Sequence, residues 1–137
     1  MLLPEVGRLI TKRLEERLRK FQLTLAQFEI LEMLWDANSG QISQRSIIEL
    51  RGVEAATVGT TLSRLERDGW VVRLPDPDDR RGRLVKATDK AWAQKVLVRS
   101  AIDELDQELR DFLGMKGALT GIIMRFRKDP PSDRNAT

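Results

Sequence analysis

The sequence of 137 residues contains no cysteine and no histidine. Without cysteine there is no disulfide, no thiol redox sensor and no thiolate nucleophile. Without histidine there is also no Cys/His zinc site, no imidazole general base and no histidine-ligated haem. Catalysis would have to rest on carboxylates, Lys, Arg, Ser or Thr, and no constellation of these stands out, so the chain reads as a non-enzyme with no cofactor. Tyrosine is missing too and aromatics make up only 5%, too few for rows of rings stacked on nucleic-acid bases. No apolar run approaches the roughly eighteen residues of a membrane span. The opening Met1-Leu2-Leu3-Pro4-Glu5 lacks the charged-then-apolar order of a secretory signal. The expectation is a cytoplasmic protein with no membrane partner.

What is present is charge and helical periodicity. Charged residues reach 33%, yet the net charge is only +3. That total averages unlike segments: residues 1–22 carry +3, 23–50 carry −3, 51–86 carry +2, 87–113 carry −2 and 114–137 carry +3. The location of the basic residues therefore says more about partners than their excess does.

Over 3–21, Val6, Ile10, Leu14, Leu18 and Phe21 recur every three or four residues between charged ones, a narrow stripe on a long helix. It suits docking onto another helix, in the same chain or in a partner. Thr24-Leu25-Ala26-Gln27 has the form of a capping box. It opens a second helix, to residue 36, with Phe28, Leu31, Leu34 and Trp35 inward. A third helix over 43–51 carries Ile47, Ile48 and Leu50 and ends at Gly52. A fourth, over 55–68, turns Val58, Leu62 and Leu65 inward and stops at Gly69. Trp70-Val71-Val72-Arg73-Leu74 and Arg83-Leu84-Val85-Lys86-Ala87 then read as two short strands joined by a charged loop over 75–82. Thr88 caps a fifth helix over 89–113, whose apolar face is Trp92, Val96, Ile102, Leu105, Leu109 and Phe112. A sixth helix over 115–127 and a disordered tail over 129–137 complete the pattern.

This order predicts a mainly α fold with a small β-hairpin wing, a winged helix-turn-helix with long N- and C-terminal dimerisation helices. Residues 1–22 form the N-terminal dimerisation helix and 23–88 the DNA-binding domain, with its recognition helix over 55–68 and wing over 70–87. Residues 89–128 form the C-terminal dimerisation helices. The densest basic block, Arg80, Arg81, Arg83 and Lys86, lies at the hairpin tip. A basic loop alone is commonly just a solvated surface, but directly after a helix-turn-helix it stands where a wing reaches DNA. Guanidinium groups suit that place, being planar, weakly hydrated and rich in donors. On the fourth helix, Ala56, Thr57, Gly59, Thr60, Ser63 and Arg64 stay outward. Small side chains let a helix sit deep in a major groove, and hydroxyls reach phosphates or base edges. The acidic group Asp103, Glu104, Asp106, Glu108 and Asp111 reads as a solvated face or a partner for the basic first helix, not as a metal site.

From Gly69-Trp70-Val71-Val72-Arg73 through Asp79-Arg80-Arg81-Gly82 to Val85-Lys86-Ala87-Thr88 the sequence resembles the wing of the MarR family, regulators related to the multiple antibiotic resistance repressor. Leu23-Thr24 through Leu31 and Thr57-Val58 through Gly69 are similar to its second and recognition helices. The resemblance implies a homodimer on a pseudo-palindromic double-stranded-DNA operator, a repressor whose half-sites lie about 34 Å apart. It also implies release by a small aromatic or phenolic effector, an ion pair from Asp79 that steadies the wing, and an Arg81 that enters the minor groove. The redox-sensing branch is excluded by the missing cysteine. Two departures stand out: Arg51 occupies a position usually filled by a core Leu, and Thr60 one that often holds a base-reading Arg. The alternative reading is a winged-helix module that binds protein and not DNA.

Overall fold

The computed structural model describes residues 2–113. Their elements run α1 (Leu2–Arg19), α2 (Leu25–Asp36), β1 (Gln41–Ser43), α3 (Gln44–Arg51), α4 (Ala55–Arg67), β2 (Val71–Asp76), β3 (Asp79–Ala87) and α5 (Asp89–Leu113). This is the mainly helical winged architecture expected. The sixth helix over 115–127 and the tail over 129–137 lie outside the described residues. No helix among the described residues is long and apolar enough to cross a membrane.

Local signals place the helix ends. Thr24 Oγ1 accepts from the backbone N–H of Gln27 at 3.2 Å, and Gln27 Oε1 accepts from the N–H of Thr24 at 2.8 Å, so the capping box closes in both directions. Ser43 caps α3 by accepting from the N–H of Ser46. Gly69 leaves α4 at a φ of 82°, a left-handed conformation that costs a glycine little.

One core joins these elements. Leu31, Leu34 and Ile30 of α2, Ile47 of α3, Val58, Leu62 and Leu65 of α4, Val71 and Val85 of the sheet, and Val98 and Ile102 of α5 lose essentially all solvent contact. A smaller apolar cluster, Leu105 and Leu109 with Ile10 and Leu14, seats α1 on α5. Arg17 crosses the same interface to Glu104 and Glu108. The narrow stripe of α1 thus finds part of its cover within the chain, with Leu18 buried and Val6, Ile10, Leu14 and Phe21 half-buried, and part of the acidic group on α5 does serve the basic first helix.

The structure corrects three expectations. The sheet has three strands, in the order β1-β3-β2, because Gln41–Ser43 pairs antiparallel with β3 through Ile42 and Val85. Three residues carry too little alternation to announce a strand, and their partners on β3, Leu84 to Lys86, are far away along the chain. Second, the 75–82 loop is mostly strand: only Pro77 and Asp78 turn. Pro75 is tolerated inside β2 because that strand is an edge, where a missing N–H breaks no ladder. Third, the buried face of α5 is Ala91, Val98, Ile102, Leu105 and Leu109. Val96 and Phe112 lie outside it and Trp92 only borders it, because the 91-98-102-105-109 stripe is set by what α5 packs on, and residue 96 falls about 200° around the helix from 98.

Candidate nucleic-acid interface

The site is built on α4 and the β2–β3 hairpin. Burial of Val58, Leu62 and Leu65 fixes the rotation of α4. The same rotation leaves Ala56, Thr57, Thr60, Ser63 and Arg64 exposed and Gly59 half-buried. A Cβ built on Gly59 would meet no atom within 4 Å, so nothing inside the chain requires a glycine there.

At the wing tip Asp76 begins a turn with Pro77 next, and its Oδ1 accepts from the N–H of Asp78 at 2.9 Å. Pro75 pairs with Arg83 while Asp76 pairs with Asp79, so the ladder skips Arg80, Arg81 and Gly82. These three residues form a bulge, and both arginines in it are exposed. The expected ion pair of Asp79 is not formed among the described residues. Its carboxylate instead accepts from the backbone N–H of Arg81 at 3.1 Å, which braces the bulge from within. Gly82 lets it come that close: a Cβ there would lie 2.9 Å from Asp79 Oδ2.

Helix and wing are joined by a group that the sequence does not advertise. Arg73 of β2 donates from Nη2 to Ser63 Oγ at 3.1 Å and to Glu66 Oε1 at 3.0 Å, and from its backbone N–H to Glu66 Oε2 at 3.1 Å. The hydrogen bond from Arg73 holds the Glu66 carboxyl below the ordinary carboxylate range, and Arg83 adds a weaker attraction. The only trace of this link in the sequence is an acid and a base seven residues apart across the Gly69 turn.

The junction is locked from α5. Thr88 Oγ1 donates to the carbonyl of Gly69 at 2.6 Å, and Lys90 Nζ donates to that of Asp68 at 2.7 Å while lying 4.6 Å from the centre of the Trp70 ring. A cation on the last carbonyls of α4 is favourable because the negative end of the helix dipole lies there. Arg51, the departure noted above, bonds Glu29 and so ties α3 to α2 by charge in place of an apolar contact.

A family model described as the MarR family matches residues 23–82, from the start of α2 to the wing bulge. YwoH of Bacillus subtilis, a helix-turn-helix-type transcriptional regulator without a characterised role, is 34% identical over 103 residues, 75% of this chain and 73% of its own length. The chain belongs to the MarR family. Members of the family are winged-helix transcriptional regulators and not enzymes. The helix-turn-helix-type transcriptional regulator PecS of Dickeya dadantii is 30% identical over 112 residues, 81% of this chain and 66% of PecS. Among solved structures, a cysteine-to-serine mutant of MarR from E. coli complexed with operator DNA superposes with a TM-score of 0.76 at 29% identity, covering 95% of this chain and 91% of that one. The MarR-family likeness thus extends beyond the wing and α4 to the long helices that flank them.

Proposed function

We propose that this chain is a sequence-specific double-stranded-DNA-binding regulator that acts as a homodimer on a pseudo-palindromic operator. In this reading α4 enters the major groove through Ala56, Thr57, Gly59, Thr60, Ser63 and Arg64, and the wing approaches the adjacent backbone and minor groove through Arg80, Arg81 and Arg83. The observation that carries it is the bulge: the ladder is interrupted where two arginines project, and Asp79 and Gly82 hold the interruption in shape. A loop kept only for solubility needs no such brace. The structural likeness to MarR from E. coli, itself complexed with operator DNA, supports the same assignment.

In the same reading residues 23–88 form the DNA-binding lobe, and 1–22 with 89–128 form the dimerisation arms, of which 114–128 lie outside the described residues. Val96, Leu97 and Phe112 support the second copy, since all three are large apolar residues exposed on α5. Repression follows from occupancy of the operator, and a small aromatic or phenolic effector relieves it by favouring a dimer whose recognition helices no longer match the half-site spacing. Such an effector is gripped without His, Cys or Tyr, because the chain has none.

The test is selection of binding sites from a random duplex pool, followed by anisotropy titration of the recovered operator. Arg81→Glu is expected to weaken binding several-fold to about a hundredfold with self-association unchanged by sedimentation. Operator binding that survives this substitution undiminished removes the wing from the interface and favours a protein-binding module.

A further inference from the structure

Four hydroxyl side chains lie on α4: Thr57, Thr60, Thr61 and Ser63. Thr60 Oγ1 donates to the carbonyl of Ala56 at 3.0 Å and Thr61 Oγ1 to that of Thr57 at 2.9 Å, each one turn back along the helix. A hydroxyl has one proton and two lone pairs, so these threonines turn lone pairs and a methyl group outward.

Ser63 is held in the opposite sense. Arg73 Nη2 carries two protons; one goes to Ser63 Oγ and the other to Glu66 Oε1. A guanidinium donates and never accepts, so Ser63 is the acceptor in this pair and its own proton is left for another partner. Ser63 is exposed, and among the described residues its hydroxyl makes no bond to the helix backbone. Glu66 fixes the guanidinium by taking both the side chain and the backbone N–H of Arg73.

Resting on the reading of α4 as the DNA-contacting helix, we propose that the Arg73–Glu66 pair sets Ser63 as an outward hydrogen-bond donor, matched to an acceptor atom of the operator. Thr60, on the exposed face one turn earlier, presents acceptor character instead. The acceptor is a phosphate oxygen or a base atom such as guanine O6 or N7, adenine N7 or thymine O4. Arg73 is a positioning residue: it acts through Ser63, and its charge is matched by Glu66.

A double-mutant cycle on the selected operator tests this, using the full chain over a salt series. Ser63→Ala is expected to weaken binding about five- to tenfold and Arg73→Met by a similar factor. Adding Ser63→Ala to Arg73→Met should then cost less than about twofold, because the hydroxyl is already misdirected. The slope of log Kd against log salt should stay as in the wild type, since no phosphate-binding charge is lost. Should Arg73→Met fail to melt cooperatively, Arg73→Met combined with Glu66→Gln, which removes the donor to Ser63 without leaving an unpaired carboxylate, takes its place in the cycle with the same expected non-additivity. Additive losses, a slope smaller by about one, or a silent Ser63→Ala each overturn the proposal. Equal loss by Ser63→Ala on operator and random duplex identifies a phosphate acceptor, and loss on the operator alone identifies a base. Arg81→Glu separates the two levels: if it abolishes binding while Ser63→Ala is silent, only the donor assignment fails. If neither variant changes binding, the DNA-contacting surface itself is wrong.

Discussion

In the winged lobe Leu31, Leu34, Ile47, Val58, Leu62, Leu65 and Val85 are fully buried, whereas on α5 Val96 keeps 71%, Leu97 57% and Phe112 80% of its exposure. The lobe closes its core from three helices and a sheet, completed by Leu18 of α1 and by Ala91, Val98 and Ile102 of α5. Beyond that core the two long helices cover only one side of each other, where Ile10 and Leu14 meet Leu105 and Leu109. A helix has one stripe to bury for each neighbour, and α5 carries apolar residues for more neighbours than the described residues supply. On the dimer reading proposed above, the lobe holds a surface still and α5 offers its uncovered apolar residues to a second copy. The two regions also differ in how charge is used. On the arms, Arg17 bridges to Glu104 and Glu108, and Arg99 to Glu32 and Asp36. At the wing tip Arg80 and Arg81 have no ion-pair partner among the described residues.

The contrast can be broken most forcefully in the core of the lobe. Leu62→Ala removes a fully buried side chain and should cost about 2–5 kcal/mol, whereas Val96→Ala should stay within about 0.5 kcal/mol. Urea titration of both variants checks this, and equal costs would erase the distinction between the regions. Next in size is the wing, where Arg81→Glu should lose about 1–3 kcal/mol of operator binding without changing the urea midpoint. On the arms, Val96→Lys combined with Phe112→Lys should weaken self-association at least about tenfold, or about 1.4 kcal/mol, and leave the melting of the lobe intact. Sedimentation identical to wild type would assign those residues to some other cover.

Gly59 offers a smaller test with opposite signs. An added methyl meets nothing in the chain, so Gly59→Ala should stabilise the fold by about 0.5–1 kcal/mol. If α4 lies deep in a groove, the same methyl should weaken operator binding. A variant that gains stability and keeps full affinity would show that Gly59 does not approach DNA. The smallest effect concerns pH. The pKa of Glu66 is lowered in the fold by Arg73. Its contribution is therefore present above the unfolded-state pKa and is lost as pH falls through the folded one. Stability should drop more steeply on acidification in wild type than in Glu66→Gln, and superimposable acid limbs would argue that the Arg73 link contributes nothing.

Most of the fold was legible because its signals are local. The capping box at Thr24, the stops at Gly52 and Gly69 and the inward triad of α4 all depend on residues within one or two turns of each other. The wing was legible in its chemistry but not in its shape. Turn residues announced a reversal near Pro77, yet the bulge over Arg80, Arg81 and Gly82 depends on how β3 registers against β2. Strand β1 was invisible because its pairing needs Val85. On α5 two overlapping apolar stripes were present, and periodicity alone did not say which would be covered.

The residues alone were enough to set the order of the five described helices and the hairpin, the side of α4 that turns inward, the basic tip that follows it, and the exclusion of thiol and imidazole chemistry. These follow from composition and from contacts between residues three or four apart. Tertiary structure alone decided which stripe of α5 is buried, how the wing is bulged and braced, and that Arg73 reaches back to Glu66 and Ser63. Each of those depends on groups brought together by packing, and hydrogen-bond polarity at Ser63 has no meaning until its donor is in place.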